Sequence, residues 1–447
     1  MLAIFIPLAA LLLSDALLLI GHGLLLTLLP VAASQSGFTE LEIALTGSAY
    51  FLGFVCGCFL TPHVLNRVGH IRSFAILAAL YSATVLLLGW LSLFAAWVML
   101  RFLVGASISG LYTVIESWLN ERAKSSNRGI VLSTYTMLNL LMITLAQQLL
   151  IMGESNTLLL FSLAALFITL AIIPVSLTLT LAPAPVKSVK INLRKVWQHS
   201  HTAMVGAVVA GMVTGSFWSL APVFAKSLQL SSHQIAAFMS ATILGGAFFQ
   251  VPLGRISDRF DRRIVLFYCA LAGTLISVCV FAASSSTIFI GWPLTLLAFL
   301  WGGSCMTFYA IALSHANDNA AASDFVEIGS GMLITLGVSS AIGAPVASLL
   351  MSVLGPQGLY LFMGFCLALF AAHILVRIRN HILPFREIHA VFRPVPNLTT
   401  PAVYEMDPRN EEAVQMSNAT EPENISGNDD YISFSEDQSQ PQKERSD

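Results

Sequence analysis

The stretch GRISDRFDRR, residues 254–263, joins two long apolar segments, and the first half of the chain holds a related stretch, PHVLNRVGHIR, residues 62–72. When the two are aligned, Asn66 matches Asp258 and an arginine follows each of them, at a separation of 192 residues. Two unrelated basic loops of a membrane protein would also be rich in arginine. The shared pair, in the loop after the second apolar segment of each half, favours an internal repeat.

Twelve apolar segments surround these two stretches, and each is long enough to cross about 30 Å of hydrocarbon as a helix. Backbone groups in lipid must be paired within the chain, and the alternation typical of barrel strands is absent. The sequence therefore predicts an all-α polytopic membrane protein with twelve transmembrane helices in two pseudo-symmetric six-helix halves. The predicted spans are 5–32, 43–65, 73–93, 95–119, 129–152, 157–181, 202–226, 233–254, 264–284, 287–313, 328–354 and 357–378.

Composition supports this class, because 56% of the residues are hydrophobic and only 10% are charged. A soluble domain usually carries about 25% charged residues. The six cysteines lie in apolar segments and predict no metal site. The sequence has no phosphate-binding loop, no H-E-x-x-H motif and no basic domain. We therefore expect no enzyme activity, no cofactor, no metal and no nucleic-acid partner.

Charge also predicts the organisation of the chain. Residues 1–380 contain 17 basic and 11 acidic residues, whereas residues 381–447 contain 5 and 13. The loops on one side hold most of the basic residues and the opposite loops only Lys226, so both termini are expected in the cytoplasm. The predicted parts are an N-terminal half (1–181), a cytoplasmic linker (182–201), a C-terminal half (202–380) and an acidic tail (381–447). We expect the tail to be disordered and to have nothing to pack against the helices.

The repeated loop resembles the motif G-x-x-x-D-R-x-G-R-R/K of the major facilitator superfamily, which lies between helices two and three. In that family the loop clamps helix ends in one conformation through ionic and helix-dipole contacts. RFLVG, residues 101–105, is similar to the family's R-x-x-x-G motif in helix four. The resemblance implies a conformational latch formed by Asn66, Arg67, Gly69, Arg72, Gly254, Asp258, Arg259, Arg262 and Arg263. Asn66 departs from the motif and weakens the first copy.

A narrower resemblance is to the YcaD-like branch of bacterial major facilitator proteins. It rests on GLYTVIESWLNER (110–122), NRG (127–129), VGHIRSF (68–74) and SHAND (314–318). This resemblance implies a multi-pass transporter in a bacterial inner membrane and leaves the solute open.

Charged residues inside the apolar segments are candidates for function, because each costs roughly 2.5–3.5 kcal/mol on insertion scales. Asp15 and His22 lie two turns apart in the first span, and Arg101 and Glu116 lie in the fourth. Helices one, four, seven and ten line the cavity in the family, so these residues are expected to form a proton and substrate pathway. The alternative is that they form interhelical pairs that only fix packing. Further pathway candidates are Tyr112, Asn139, Trp218 and Tyr309.

The sequence thus predicts a secondary transporter of a small solute that works by alternating access and is coupled to protons. The alternative is a non-transporting membrane scaffold or sensor that uses the acidic tail for interactions. The expected partners are the solute, protons and the lipid bilayer, and the expected state is a monomer.

Overall fold

The computed structural model describes residues 8–123, 127–153, 158–178, 192–284, 291–318, 320, 324–380, 392, 394, 396 and 399–405. In this part of the chain twelve helices are long and apolar enough to cross a membrane, which confirms the predicted number. They are α1 (Ala9–Gln35), α2 (Glu40–Val68), α3 (His70–Trp90), α4 (Phe94–Arg122), α5 (Arg128–Met152), α6 (Leu158–Ser176), α7 (His201–Ser227), α8 (Ser232–Arg259), α9 (Arg262–Ala283), α10 (Trp292–Asn317), α11 (Phe325–Leu354) and α12 (Gly358–Arg379).

The internal repeat is visible where α2 and α8 begin. Thr39 and Glu42 form a capping box at the start of α2, and Ser231 and Gln234 form the same box at the start of α8. In each box the hydroxyl accepts a backbone N–H three residues on, and the longer side chain accepts the N–H of the cap residue. Both pairs are again 192 residues apart, so the separation found in the loop motifs extends over the whole of α2 and α8.

Glycines repeat the same relation where helices cross. A methyl group on Gly53 of α2 would overlap the backbone carbonyl of Phe102 on α4, and one on Gly245 of α8 would overlap that of Phe299 on α10. The two helices of each pair therefore meet backbone to backbone. Close approach at small residues is the usual way in which helices associate in lipid, where burial from water supplies no driving force.

The two halves contact each other directly at the side remote from the two loop motifs. The hydroxyl of Ser48 on α2 donates to the carbonyl of Ala341 on α11 at 2.5 Å. The amide of Gln148, one turn before the end of α5, donates to Ser240 on α8 at 2.9 Å. We call this side the far side and the side of the loop motifs the motif side. The bundle is thus closed at the far side.

A short helix, Leu193–His199, precedes α7 on the motif side. Its Lys195 lies 2.8 Å from both Asp324 and Glu327 at the start of α11. Hydrogen bonds to Asp324 and Glu327 raise the pKa of Lys195 above its ordinary value, so this lysine is charged at neutral pH. This part of the predicted linker is bound to the second half, and residues 182–191 lie outside the described residues.

Part of the C-terminal tail lies in the bundle. Residues 399–404 are buried, Ala402–Glu405 forms a helical turn, and Phe392 is buried as well. The expectation that the tail has nothing to pack against the helices is therefore wrong for these residues. Composition predicts whether a segment can form a core of its own, but it does not exclude that the segment fills a cavity in another part of the chain. Residues 381–391 and 406–447 lie outside the described residues.

The glycine crossings lead to a test. Gly245→Ala should lower the free energy of unfolding by about 1–3 kcal/mol, because a methyl group must push α8 away from α10. Gly53→Ala should have a similar effect on α2 and α4. Gly206→Ala is the control, since the nearest atom to its added methyl is another methyl at 3.2 Å. Unfolding of the detergent-purified variants measures the differences, and equal effects at all three positions would contradict the backbone contacts.

Candidate functional site

The carboxylate of Glu116, near the motif-side end of α4, accepts four hydrogen bonds. The hydroxyls of Tyr135 on α5 and of Thr399 in the tail donate to Oε1, at 3.1 and 2.6 Å. Thr400 donates its backbone N–H at 2.9 Å and its hydroxyl at 2.5 Å to Oε2. The backbone N–H of Thr400 can only donate, whereas each of the three hydroxyls can donate to an ionised carboxylate or accept from a protonated carboxyl group. These partners can therefore satisfy Glu116 in either protonation state.

Asp15, fully buried on α1, is joined to Glu116 through one turn of α5. The side-chain amide of Asn139 donates to Asp15 Oδ2 at 3.2 Å and to the backbone carbonyl of Tyr135 at 2.9 Å. Within the described residues, Asp15 Oδ1 has no hydrogen-bond partner. Nor does any described lysine, arginine or histidine form an ion pair with either carboxyl group. The described part of the first half thus contains two buried carboxyl groups that form no ion pair with a described residue.

His22 belongs to a separate, aromatic cluster. Its Nδ1 lies 2.6 Å from the hydroxyl of Tyr81, and its Nε2 lies 3.3 Å from that of Tyr50. The guanidinium of Arg101 lies 4.8 Å from the centroid of the Tyr50 ring, which is a cation–π distance. Both ring nitrogens of His22 are therefore engaged away from Asp15. The four charged or titratable candidates form two groups, Asp15 with Glu116 and His22 with Arg101.

The central cavity lies between the two halves and brings together three of the predicted pathway residues. Tyr112, Asn139 and Trp218 line it, together with apolar side chains of α1, α5, α8 and α10. Pro396 of the tail also lines it, and the space that remains is about 30 Å³. Tyr112 connects the cavity to the aromatic cluster, because its ring packs edge-on to His22. Tyr309 does not line this cavity; its hydroxyl lies 3.0 Å from that of Tyr404 in the tail.

The second copy of the loop motif forms a buried ionic cluster. The fully buried guanidinium of Arg262 donates to Asp318 at 2.8 Å, to Asp258 at 3.0 Å and to the hydroxyl of Ser257 at 3.1 Å. These contacts tie the end of α8 to the start of α9 and to the segment after α10. Arg259, which the sequence pairs with Asp258, is exposed instead. Asp258 therefore pairs with Arg262, four residues later, across the turn between α8 and α9.

Two further residues of the second copy have local roles. Asp261 caps α9 through the backbone N–H of Arg263 and also pairs with its guanidinium at 2.6 Å. Burial alone would raise the pKa of Asp261, but these hydrogen bonds from Arg263 hold it below its ordinary value. Gly254 leaves room for the ring of Phe392, which a methyl group would overlap.

The first copy of the motif forms no comparable cluster among the residues described. Asn66, Arg67 and Arg72 are exposed. Gly69 turns the chain between α2 and α3 with a φ of 82°, which favours glycine. His70 stands 192 residues before Arg262 and lies 3.2 Å from the hydroxyl of Ser117. The two copies are thus equivalent in position but differ in charge.

Comparison with known proteins shows to which family these two related halves belong. A family model described as Major Facilitator Superfamily matches residues 11–202 and again residues 203–402. The chain belongs to the Major Facilitator Superfamily. It is a secondary transporter and a multi-pass protein of a bacterial inner membrane.

The relatives of this superfamily member agree with the narrower resemblance seen in its sequence. It is 26% identical over 374 residues to the "Uncharacterized MFS-type transporter YcaD" of Escherichia coli (strain SE11), which covers 83% of this chain and 95% of the relative. The protein of the same name from Salmonella dublin is 26% identical over 351 residues, covering 77% and 89%.

Solved structures of the superfamily share the fold. The nucleoside transporter NupG superposes with a TM-score of 0.68 at 13% identity, covering 83% of this chain and 98% of that chain. A bacterial homologue of the human lysosomal transporter Spinster, in an inward-facing and occupied conformation, gives a TM-score of 0.67 at 14% identity, covering 84% and 97%. At such identities the likeness shows the fold alone.

In this major facilitator protein, several residues that contact the predicted site residues were not themselves predicted from the sequence. Tyr135 lies four residues before Asn139, so a search one turn along α5 would have found it. Asp318 lies just after the tenth span, in the stretch SHAND (314–318), where its charge alone predicts no partner. No local sequence pattern marks Thr399 and Thr400 as site residues, because their contacts depend on where the tail lies in the bundle.

The buried cluster of the second copy predicts a strong asymmetry. Arg262→Gln should lower the free energy of unfolding by about 3 kcal/mol or more, because it removes the fully buried guanidinium that pairs with both Asp258 and Asp318. Arg67→Gln, in the first copy, should change it by less than about 0.5 kcal/mol because this side chain is exposed. Denaturant unfolding in detergent measures both. Losses of equal size would show that the cluster does not stabilise the second half in this way.

Proposed function

We propose that this transporter is coupled to protons and that Asp15 and Glu116 are the groups that take up and release them. The observation that carries the proposal is the pair of buried carboxyl groups without a counter-ion in the described chain, joined through Tyr135 and Asn139. An ionised carboxyl group in apolar surroundings is costly unless a cation or several donors accompany it. Asp15 has one donor, so binding a proton removes an otherwise uncompensated charge.

The proton step would be linked to the solute through α5. Asn139 binds Asp15 and also lines the central cavity, opposite Trp218 of the second half. A solute that displaces or bonds to the Asn139 amide changes the hydrogen bonding of Asp15 directly. Alternating access then requires that the far-side contacts, Ser48 with Ala341 and Gln148 with Ser240, break as the two halves rock. We place the motif side in the cytoplasm on the basis of its basic loops.

Arg101 and His22 have a different part in this proposal. The aromatic cluster lies beside Tyr112, at the edge of the cavity, and supplies a positive charge that Tyr50 holds by its ring face. Among the described residues the Arg101 Nε has no hydrogen-bond partner. The cluster is therefore suited to attract an anionic group of the solute, with His22 positioning Tyr50 and Tyr81.

The test needs a ligand and a mutation. Thermal-shift screening of the purified protein against metabolite libraries identifies a ligand, since binding raises the unfolding temperature. In proteoliposomes that contain a pH-sensitive dye, this ligand should drive proton movement in the native protein. Asp15→Asn should reduce that movement at least about tenfold while ligand binding remains, because an amide cannot load a proton at neutral pH.

Ser14→Ala is the matched control, because Ser14 is a buried neighbour on α1 that the proposed pathway does not use. It should keep proton movement and folding close to the native protein. Ligand-driven proton movement that persists in both Asp15→Asn and Glu116→Gln would assign the two carboxyl groups to packing and defeat the proposal.

A further inference from the structure

The described residues of the tail fill the motif-side mouth of the cavity. We call them the tail segment: Phe392, Pro394, Pro396 and residues 399–405. The segment first contacts α8, where the backbone N–H of Phe392 donates to Asp258 at 2.8 Å. The hydroxyl of Thr136 on α5 then reaches the carbonyl of Pro394 at 3.4 Å. Pro396 follows in the wall of the central cavity, so the segment runs from the rim of the bundle to its centre.

From the centre the tail segment returns across the mouth. Thr399 and Thr400 bind Glu116 on α4 through three hydrogen bonds. Tyr404 then pairs with Tyr309 on α10 and packs against Gly329 on α11. The segment therefore contacts α4 and α5 of the first half and α8, α10 and α11 of the second.

The mouth is complementary in shape and charge to this segment. A methyl group on Gly254 would overlap the ring of Phe392, and one on Gly329 would lie 2.7 Å from the ring of Tyr404. Thr399 and Thr400 are fully buried, and their three donors supply most of the bonds to a carboxylate that has no cation in the described chain. A buried carboxylate without such donors is expensive. The shape of the mouth and its hydrogen-bonding groups thus both fit the tail segment.

We propose that the motif-side mouth is a peptide-binding site whose ligand is the chain's own tail segment, and that the bound segment shuts the transport pathway. The proposal rests on the proposed function in one respect, because the pathway that it shuts is the one between Glu116 and the central cavity. The tail segment is an internal competitor of the solute and of the proton, and its release is the step that activates transport.

Occupation by the tail segment excludes a solute in two ways. Sites for small molecules usually measure 300–1,000 Å³, whereas about 30 Å³ remains beside Pro396. The segment also bonds to both halves at the motif side, so the halves cannot rock about the cavity until it leaves. Because the segment is tethered to α12, its effective concentration at the mouth is in the millimolar range, and a modest intrinsic affinity suffices.

The experiment measures access to the cavity and needs no knowledge of the solute. Leu140→Cys places a thiol in the cavity wall, in a chain whose six native cysteines are replaced by serine or alanine. Three lengths are compared, the full chain, a chain ending at residue 405 and a chain ending at residue 380. A polar maleimide added at the motif side should label the shortest chain at least about tenfold faster, because the tail segment no longer covers the thiol. The chain ending at 405 should label like the full chain.

A synthetic peptide of residues 391–405 provides the matched control. Added to the shortest chain, it should restore protection of the thiol, and the same peptide with valine at both threonine positions should restore much less. In the full chain, the double variant Thr399→Val and Thr400→Val should raise labelling part of the way, which tests the contact even if the shortened chain folds poorly.

Equal labelling of all three chains, with no protection by the peptide, would overturn the inference. The result is separable from the proposed function. If the shortest chain labels faster but moves neither ligand nor protons, proton-coupled transport fails and the tail site stands. If all chains label alike while ligand-driven proton movement is intact, the tail site fails alone.

Discussion

A carboxyl group buried in a membrane protein needs hydrogen-bond donors, a cation or a proton. Glu116 is surrounded by hydrogen-bonding groups. Its four donors come from α5 and from the tail, and the described chain provides no cation. The tail segment that holds Glu116 also reaches Asp258 and Tyr309 in the second half. Through the tail segment, this one buried carboxyl group of the first half is therefore linked to the second half at the motif side.

The two halves share their construction but not their charges. Helix caps, glycine crossings and loop motifs recur at the same separation of 192 residues. The first half holds Asp15, Glu116 and Arg101 among its helices, whereas the second holds the ionic cluster of Arg262 at its rim. In our account the first half carries the chemistry and the second carries the latch, and both halves bind the tail. The internal repeat accounts for the common frame, and the different charges are the basis of the different roles that we propose for the two halves.

The sequence predicted what depends on local patterns. Span number follows from hydropathy, and the repeat follows from residues close together in the chain. Asp15 and Glu116 were predicted as buried charges of the first and fourth spans, but the link between them through Asn139 and Tyr135 was not. The engagement of His22 by Tyr50 and Tyr81 could not, because helix rotation decides which neighbours it meets. The packing of the tail was predicted wrongly because its hydrogen-bond partners are far away in the sequence. Thr400, for example, binds Glu116, which lies 284 positions before it.

The central claim of the proposal is that the bound tail segment occupies the carboxyl group of Glu116, and that this group exchanges protons when the segment leaves. Infrared difference spectroscopy of pH steps, with Glu116→Gln for assignment, measures this directly in the full chain and in the chain ending at residue 380. The account predicts that the carboxyl bands of Glu116 respond to the pH steps in the shortened chain and respond much less in the full chain. The same protonation behaviour in both chains would contradict it.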